Sequence, residues 1–336
     1  MRYKGAVLSA TAPTTSSSSA QGVWSMRQQL QAVGGTGWPY GALPPAPTIG
    51  TATATSYSSA TVSFTAPSGS YGITGYTATS SPGGITGTIS GSGSGTITVS
   101  GLSASTSYTF TVTATNPIGV SSPSAASNSI TTPLAPPTTI GQAYGGGYYA
   151  GKINVSGTQY YLVVSPKASG ESTAVWGTYG VNTGVTSLIN GPTNSATLAG
   201  LGSTYAAATF CEGLTIGGYS DWYLPATNEL EVCYYFLKPG TNANDTRYGA
   251  NANAVSPEPV NTNYTTGSPA QTSAGIGFRT GETNAFALDF YWASTQYDLG
   301  GLGNGRAWVG NFNYGSQYDN TKGTTNYVRA VRRIPV

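Results

Sequence analysis

The chain contains no histidine, and its 336 residues include only 13 basic and 11 acidic ones. Histidine is the commonest general base and metal ligand near neutral pH. Its absence excludes Ser-His-Asp and Cys-His nucleophile systems and any zinc site built with histidine. Between residues 28 and 151 there is no Asp, Glu, Lys or Arg, and every acid lies at or beyond Glu171. The middle of the chain therefore cannot perform general acid–base catalysis. A net charge of +2 without a basic run is too small to draw in a nucleic acid or an anionic membrane surface. No apolar stretch approaches the roughly 20 residues of a membrane span, so membrane insertion is not expected either. The apolar GAVL near the start is shorter than the ~7–15 residues a signal peptide needs. Two cysteines, Cys211 and Cys233, are too few for a disulfide framework and lack C-x-x-C spacing. They read as two buried thiols or as one structural disulfide.

What is present is Gly, Ser, Thr, Ala and Tyr, arranged in four parts. Residues 1–40 form an N-terminal linker and docking helix. In QGVWSMRQQLQAV, Val23, Met26, Leu30 and Val33 recur at helical spacing until Gly34 and Gly35 end the pattern. Three turns do not stand alone in water, so such a helix needs a surface. Residues 44–133 hold ATVSFT, ITGYTATS, TITVS and SYTFTVTAT between Gly, Ser and Pro turns, the pattern of an antiparallel sandwich. In the last of these Tyr108, Phe110, Val112 and Ala114 face inward, and Ser107, Thr109, Thr111 and Thr113 face water. Residues 134–142 are a Pro-rich linker.

In residues 143–336, AGKINVSGTQYYLVVSPK predicts a hairpin with YYLVV as its buried arm. TYAAATFCEGL predicts a helix ending at Gly213. NELEVCYYFLK predicts a clearer one, with Leu230, Cys233, Tyr234 and Leu237 on one face and Asn228 as cap, Glu231 standing three residues on. YWAST, AWVGNFNYG and YVRAVRRI alternate like strands. The fold class is therefore an all-β sandwich followed by an α+β domain, with a short N-terminal helix.

Within that second half, GGYSDWYLPATNELE gathers Asp221, Glu229 and Glu231 into fifteen positions. As chemistry, these would be a carboxylate acid/base set. As structure, Glu229 and Glu231 fall in the first turn of a helix, where carboxylates complement the dipole. Asp221 can then answer an arginine of the terminal VRAVRR. The structural reading is the simpler one and predicts a buried ion-pair latch of Asp221, Glu229, Arg329 and Arg332.

Two resemblances follow from these motifs. GLSASTSYTFTVTATNPIGVSSPS resembles a fibronectin type III domain of bacterial and phage proteins, with Tyr108 as the tyrosine of its corner. The tryptophan usual on an early strand is missing, and Phe64 stands nearby. That family serves as a spacer or weak adhesive module. GGYSDWYLPATNELE, YWASTQ, AWVGNFNYG and VRAVRRIP, in that order, resemble the C-terminal domain of the Legionella collagen-like adhesin and its phage relatives. This implies a C-type-lectin-like fold, shared with formylglycine-generating enzymes and with diversified receptor-binding proteins. Cys211 and Cys233 sit in predicted helices rather than in the late loops where such enzymes place theirs, so no catalytic residue is expected. The calcium motif of C-type lectins has its nearest match in EPV at 258–260, which lacks the amide ligand; no metal and no cofactor are expected.

The stretch between YWAST and VRAVRR is rich in Tyr, Asn, Asp, Ser and Gly, the composition of adaptable recognition surfaces. Candidate receptor contacts are Tyr297, Asp298, Arg306, Asn313, Tyr314, Gln317, Tyr318 and Asp319. Trp292, Trp308 and Phe312 read as core. The resemblances imply a non-enzymatic virion protein, a phage tail fibre or tail tip. It would join other virion proteins through its N-terminal segment and bind a host-surface glycan or protein through its C-terminal domain. By analogy with phage fibres it would be a homotrimer. A decoration protein that stabilises the particle and a bacterial surface adhesin are the alternatives.

Overall fold

The computed structural model describes residues 42–255, 261–298 and 303–336. The expected docking helix and the EPV triplet at 258–260 lie outside these residues. The chain divides into two compact units, with the boundary between Ala135 and Pro136.

The first unit contains β1 (Thr48–Ser56), β2 (Ser59–Thr65), β3 (Gly75–Ser81), β4 (Thr86–Ser90), β5 (Gly95–Ser100), β6 (Ser107–Asn116), β7 (Gly119–Val120) and β8 (Ile130–Thr131). They form the sheets β1-β2-β5 and β4-β3-β6-β7, with β8 also paired to β6. Without charges, this unit is held by apolar alternation and by hydroxyls. Tyr108, Phe110, Val112 and Ala114 are buried, as alternation requires, together with Phe64, which packs on Tyr76 with ring centroids 4.3 Å apart. Thr109, Thr111 and Thr113 are half-buried rather than exposed, because β6 is a central strand and β3 places Thr79 and Thr77 opposite the latter two. Beyond β7 the edge is completed by serines. Ser121, Ser124 and Ser127 each donate a backbone N–H to Ala114, Val112 and Phe110 respectively, and each accepts that residue's N–H on Oγ at 2.9–3.0 Å.

Tyr108 closes the sandwich by accepting the Ser103 backbone N–H on its hydroxyl at 3.0 Å. Tyr108→Phe leaves that N–H without its partner. We expect a loss of about 1 kcal/mol, read as a shift of the denaturation midpoint with unchanged slope; an unchanged midpoint would show that water replaces the hydroxyl at no cost.

The second unit contains β9 (Ala143–Tyr144), β10 (Gly147–Val155), β11 (Thr158–Val164), α1 (Lys167–Gly170), β12 (Glu171–Val175), α2 (Gly191–Gly200), α3 (Ala206–Glu212), α4 (Thr227–Leu237), β13 (Phe290–Gln296), β14 (Arg306–Asn311), β15 (Gln317–Thr321), β16 (Thr325–Arg329) and β17 (Val331–Pro335). One sheet runs β17-β11-β10-β9, so the last strand closes onto the first hairpin. The other runs β12-β16-β13-β14-β15, in which β13 and β16 are parallel and the remaining pairs antiparallel. Gly151, at a bulge with φ +125°, brings β10 against α4, where a Cβ would meet the Phe236 ring. Leu230, Cys233, Tyr234 and Leu237 of α4 are buried with Ile153, Leu162, Tyr291 and Phe312. Cys211 and Cys233 are buried thiols in α3 and α4 and form no disulfide. The cap of α4 differs from the expected one. Ala226, after Pro225, occupies the N-cap, and Glu229 reaches back to accept its N–H at 2.8 Å, while Asn228 lies one residue inside the helix.

Among the described residues no helix is long and apolar enough to cross a membrane. Between α4 and β13 the described chain has no regular element and is pinned by buried polar side chains. Lys238, 2% exposed, donates from Nζ to Asn242 O (2.6 Å), Asn244 Oδ1 (2.7 Å) and Pro269 O (3.3 Å). Asn244 in turn donates to Pro269 O and Thr265 O, and accepts from the Tyr234 hydroxyl.

Candidate functional site

Two acids of the central motif, Asp221 and Glu229, are placed by arginines of the terminal strands. Arg329, at the end of β16, pairs with Glu171 at 2.8 Å; Arg332 and Arg333 alternate on β17 and take Asp221 and Glu229. The expected latch thus re-sorts its partners. Glu229 meets Arg333, at 3.5 Å, and Arg329 meets an acid that the motif does not contain. The Asp221 side chain is 56% exposed, so its bidentate pair with Arg332 is a half-open clamp rather than a buried one. Arg332 also lies over the Tyr219 ring, 3.8 Å from its centroid, and donates to Gly145 O.

Glu229 is fully buried. It accepts from Ala226 N–H and from the Tyr223 hydroxyl, both at 2.8 Å. Burial pushes its carboxyl up to about 7, against the opposing pull of Arg333 and of these donors. Glu231, 4% exposed, accepts from the Tyr264 hydroxyl and from Asn251 Nδ2. It borders only a cavity of about 10 Å³, room for one water molecule. Asp221, Glu229 and Glu231 do not share a cleft open to a substrate: one is a surface clamp and two are enclosed.

An open concavity lies elsewhere, at the edge of the larger sheet. It is a depression of about 500 Å³ in which Phe290, Tyr314 and Tyr318 supply rings and Asn244, Asp245, Asn311 and Ser316 supply polar groups. Several contacts fix its shape. Tyr318 packs edge-on against Tyr248 and Phe290, at 5.5 and 6.2 Å. Asp245 donates its N–H to Tyr314 O at 2.8 Å, and Asn242 Nδ2 donates to Asn313 Oδ1. Arg247 grips Asp245 through Nε (3.0 Å) and Nη2 (2.7 Å), and these hydrogen bonds hold the Asp245 carboxyl below its ordinary range. Tyr314 and Tyr318 remain 46% and 37% exposed. Exposed rings beside fixed amides and a carboxylate can stack on an apolar face while hydrogen-bonding a polar edge.

The eight candidate contacts separate by the two-residue period of β15. Tyr318 faces the depression together with Tyr314, and Asn313 sits on its rim. Gln317 and Asp319 point to the opposite face, where β14 places Gly310 and Trp308 across from them. There Arg306 pairs with Asp319, and Tyr297 packs against Trp308 at 5.0 Å. Asp298 is exposed, with no described part in the depression. Trp292 and Phe312 are fully buried, whereas Trp308 is half-buried. Sequence reasoning missed Asp245, Arg247, Tyr248, Phe290 and Asn311. The Asp-x-Arg spacing at 245–247 was the one available signal.

Two family models match the chain: a fibronectin type III domain over residues 45–130 and the Lcl C-terminal domain over residues 171–332. Among solved structures, it is similar to the FN1–FN3 domains of chicken CNTN1, at 21% identity over 27% of this chain and 31% of that one, TM-score 0.24. It is also similar to a fibronectin type III domain from the human KIAA0970 protein, at 17% identity over 36% and 91%, TM-score 0.25. A third is the fibronectin type III domain of human fibronectin type III domain containing protein 3, at 27% identity over 28% and 90%, TM-score 0.23. The chain spans about a third of the CNTN1 chain. No curated protein matches it.

The molecule is thus multidomain and strand-rich, with a fibronectin type III sandwich followed by an Lcl C-terminal domain. Both kinds of domain are typically non-catalytic, and together they suggest a surface or adhesin-type protein.

Proposed function

We propose that this is an attachment protein of a virion, a phage tail fibre or tail tip, whose second unit has a C-type-lectin-like α+β fold and binds a receptor on the host surface, a glycan. The observation that carries this reading is the depression at the edge of the larger sheet, where half-exposed Tyr314 and Tyr318 stand among fixed amides. Closure of the unit by its last strand onto its first hairpin supports the lectin-like fold. The charge-free sandwich suits a spacer, and residues 1–40 would join the protein to other virion proteins. As a homotrimer it would gather weak sites into avid binding.

Fluorescently labelled full-length protein, applied to the host cells, tests this against its Tyr314→Ala/Tyr318→Ala variant. We expect the wild type to coat the cells and block phage adsorption, and the variant to bind at least about tenfold more weakly, a loss of about 1.4 kcal/mol. A wild type that ignores the cells and leaves adsorption untouched would assign the domain to contacts within the particle instead.

A further inference from the structure

The depression also carries a charge pattern that narrows its ligand; this step rests on the reading of the depression as the receptor site. Its lining contains one carboxylate, Asp245, and neither lysine nor arginine. Two cations adjoin the lining. Lys238 is buried and spends its ammonium on Asn244 Oδ1, Asn242 O and Pro269 O. Arg247, 73% exposed, spends its fork on Asp245 and lies over the Tyr248 ring, 5.7 Å from its centroid. Three consequences follow. An anionic ligand would meet Asp245 with the one adjacent guanidinium already committed. A cationic ligand would find the negative charge neutralised and a neighbouring aromatic face occupied by Arg247. A neutral polyol, by contrast, uses what is there. Asp245 accepts the Arg247 backbone N–H and Nε on Oδ1 and Nη2 on Oδ2. Of the roughly four lone-pair sites of a carboxylate, one remains on Oδ2, which a ligand hydroxyl can take over from the Tyr318 hydroxyl. Asn311, whose Oδ1 accepts the Asn313 N–H, can donate from Nδ2, and the exposed rings of Tyr314 and Tyr318 suit the C–H face of a sugar.

We infer that the depression takes an uncharged pyranose, its ring stacked on Tyr318 or Tyr314 and its hydroxyls on Asp245 and Asn311, and that it discriminates against anionic glycans. The test is retention of the full-length protein on immobilised dextran, mannan and galactan, set beside heparin and polygalacturonate, at low and high salt. Retention is expected on at least one neutral polymer and to be insensitive to salt. The free monosaccharide should displace the protein, whereas choline should not. Tyr318→Ala and Asp245→Ala, each checked for native circular dichroism, should reduce it by about tenfold or more. Retention on the acidic polymers alone, abolished by salt, overturns the neutral-sugar assignment while leaving a glycan receptor standing. Displacement by choline, or unchanged retention in both variants, overturns it as well. Failure on every polymer, with undiminished binding to periodate-oxidised host cells, overturns the inference and the glycan reading together.

Discussion

Replacing Arg329 by alanine is expected to cost the second unit about 3–5 kcal/mol, the range for breaking one partner of a buried ion pair. Arg329 is 1% exposed and is used in every direction. Nη1 meets Glu171 at 2.8 Å, Nε donates to Ser165 O at 2.9 Å, Nη2 donates to Asn284 O at 3.2 Å, and the guanidinium lies over Phe286. It therefore ties β16 to the turn after β11, to β12 and to the loop before β13. Without it, Glu171 keeps the Tyr291 hydroxyl at 2.8 Å and the more exposed Lys167 at 3.4 Å, too little for a carboxylate that is 7% exposed. Arg329→Lys should recover part of the loss, since an ammonium cannot span three acceptors in fork geometry. Arg332→Ala is the milder contrast: Asp221 is already 56% exposed and stays solvated, so the loss comes from the Gly145 O hydrogen bond and the packing on Tyr219, about 1–3 kcal/mol. Urea unfolding followed by tryptophan fluorescence reads this unit selectively once Trp24 and Trp38, the two other tryptophans of the chain, are replaced by phenylalanine. Trp176, Trp222, Trp292 and Trp308 lie in it, and no tryptophan lies between residues 44 and 133. Equal midpoints for the Arg329 and Arg332 alanine variants would refute this ordering.

That ordering was not available from the sequence, and the reason is physical. Period-two and period-3.6 patterns announce themselves locally, so β6, the β10–β11 hairpin and α4 were legible from Tyr108–Phe110–Val112 and from Leu230–Cys233–Tyr234–Leu237. α2 was not, because GPTNSATLAG has too few apolar residues to mark a face; Pro192 at its start was the available sign. Pairings across the fold are another matter. Arg329 and Glu171 are 158 residues apart, and the choice among three arginines depends on where β16 gives way to β17. The edge role of the serines at 121, 124 and 127 went unread for the same reason: their partners lie on another strand. The candidate contacts were gathered by composition alone. Strand β15, QYDNT, is poor in β-formers, and only the turn at Gly315, with φ +76°, folds it back on β14 and sends Tyr318 to one face and Asp319 to the other. The carboxylate of the depression comes from the loop after α4, held by Lys238 and Asn244, which no local pattern reveals.

Glu229 is expected to make this unit less stable as the pH rises from about 4.5 to about 7. Its carboxyl is raised from the ordinary 4.5 to about 7 in the folded protein, with burial as the largest cause. The folded state then holds the proton more tightly than the unfolded one, so the slope of stability against pH is negative between the two values. The contribution is full below about 4.5 and is lost as the pH passes through about 7. A shift of that size amounts to about 3 kcal/mol, at 1.36 kcal/mol per pH unit. Glu229→Gln removes the titration while nearly preserving the shape, at the cost of an imperfect match to the Ala226 N–H. The variant will therefore carry a constant penalty, and the informative quantity is the difference between the two stability curves. That difference should move in favour of the variant across pH 4.5–7 and level off above it. Arg333→Met makes the complementary case. Arg333 opposes the upward push on Glu229, so its removal should raise the carboxyl further and carry the loss of stability to higher pH. Wild-type and Glu229→Gln curves that run parallel from pH 4.5 to 8 would mean that Glu229 holds one protonation state throughout. The arginine and the helix-cap hydrogen bonds would then outweigh burial.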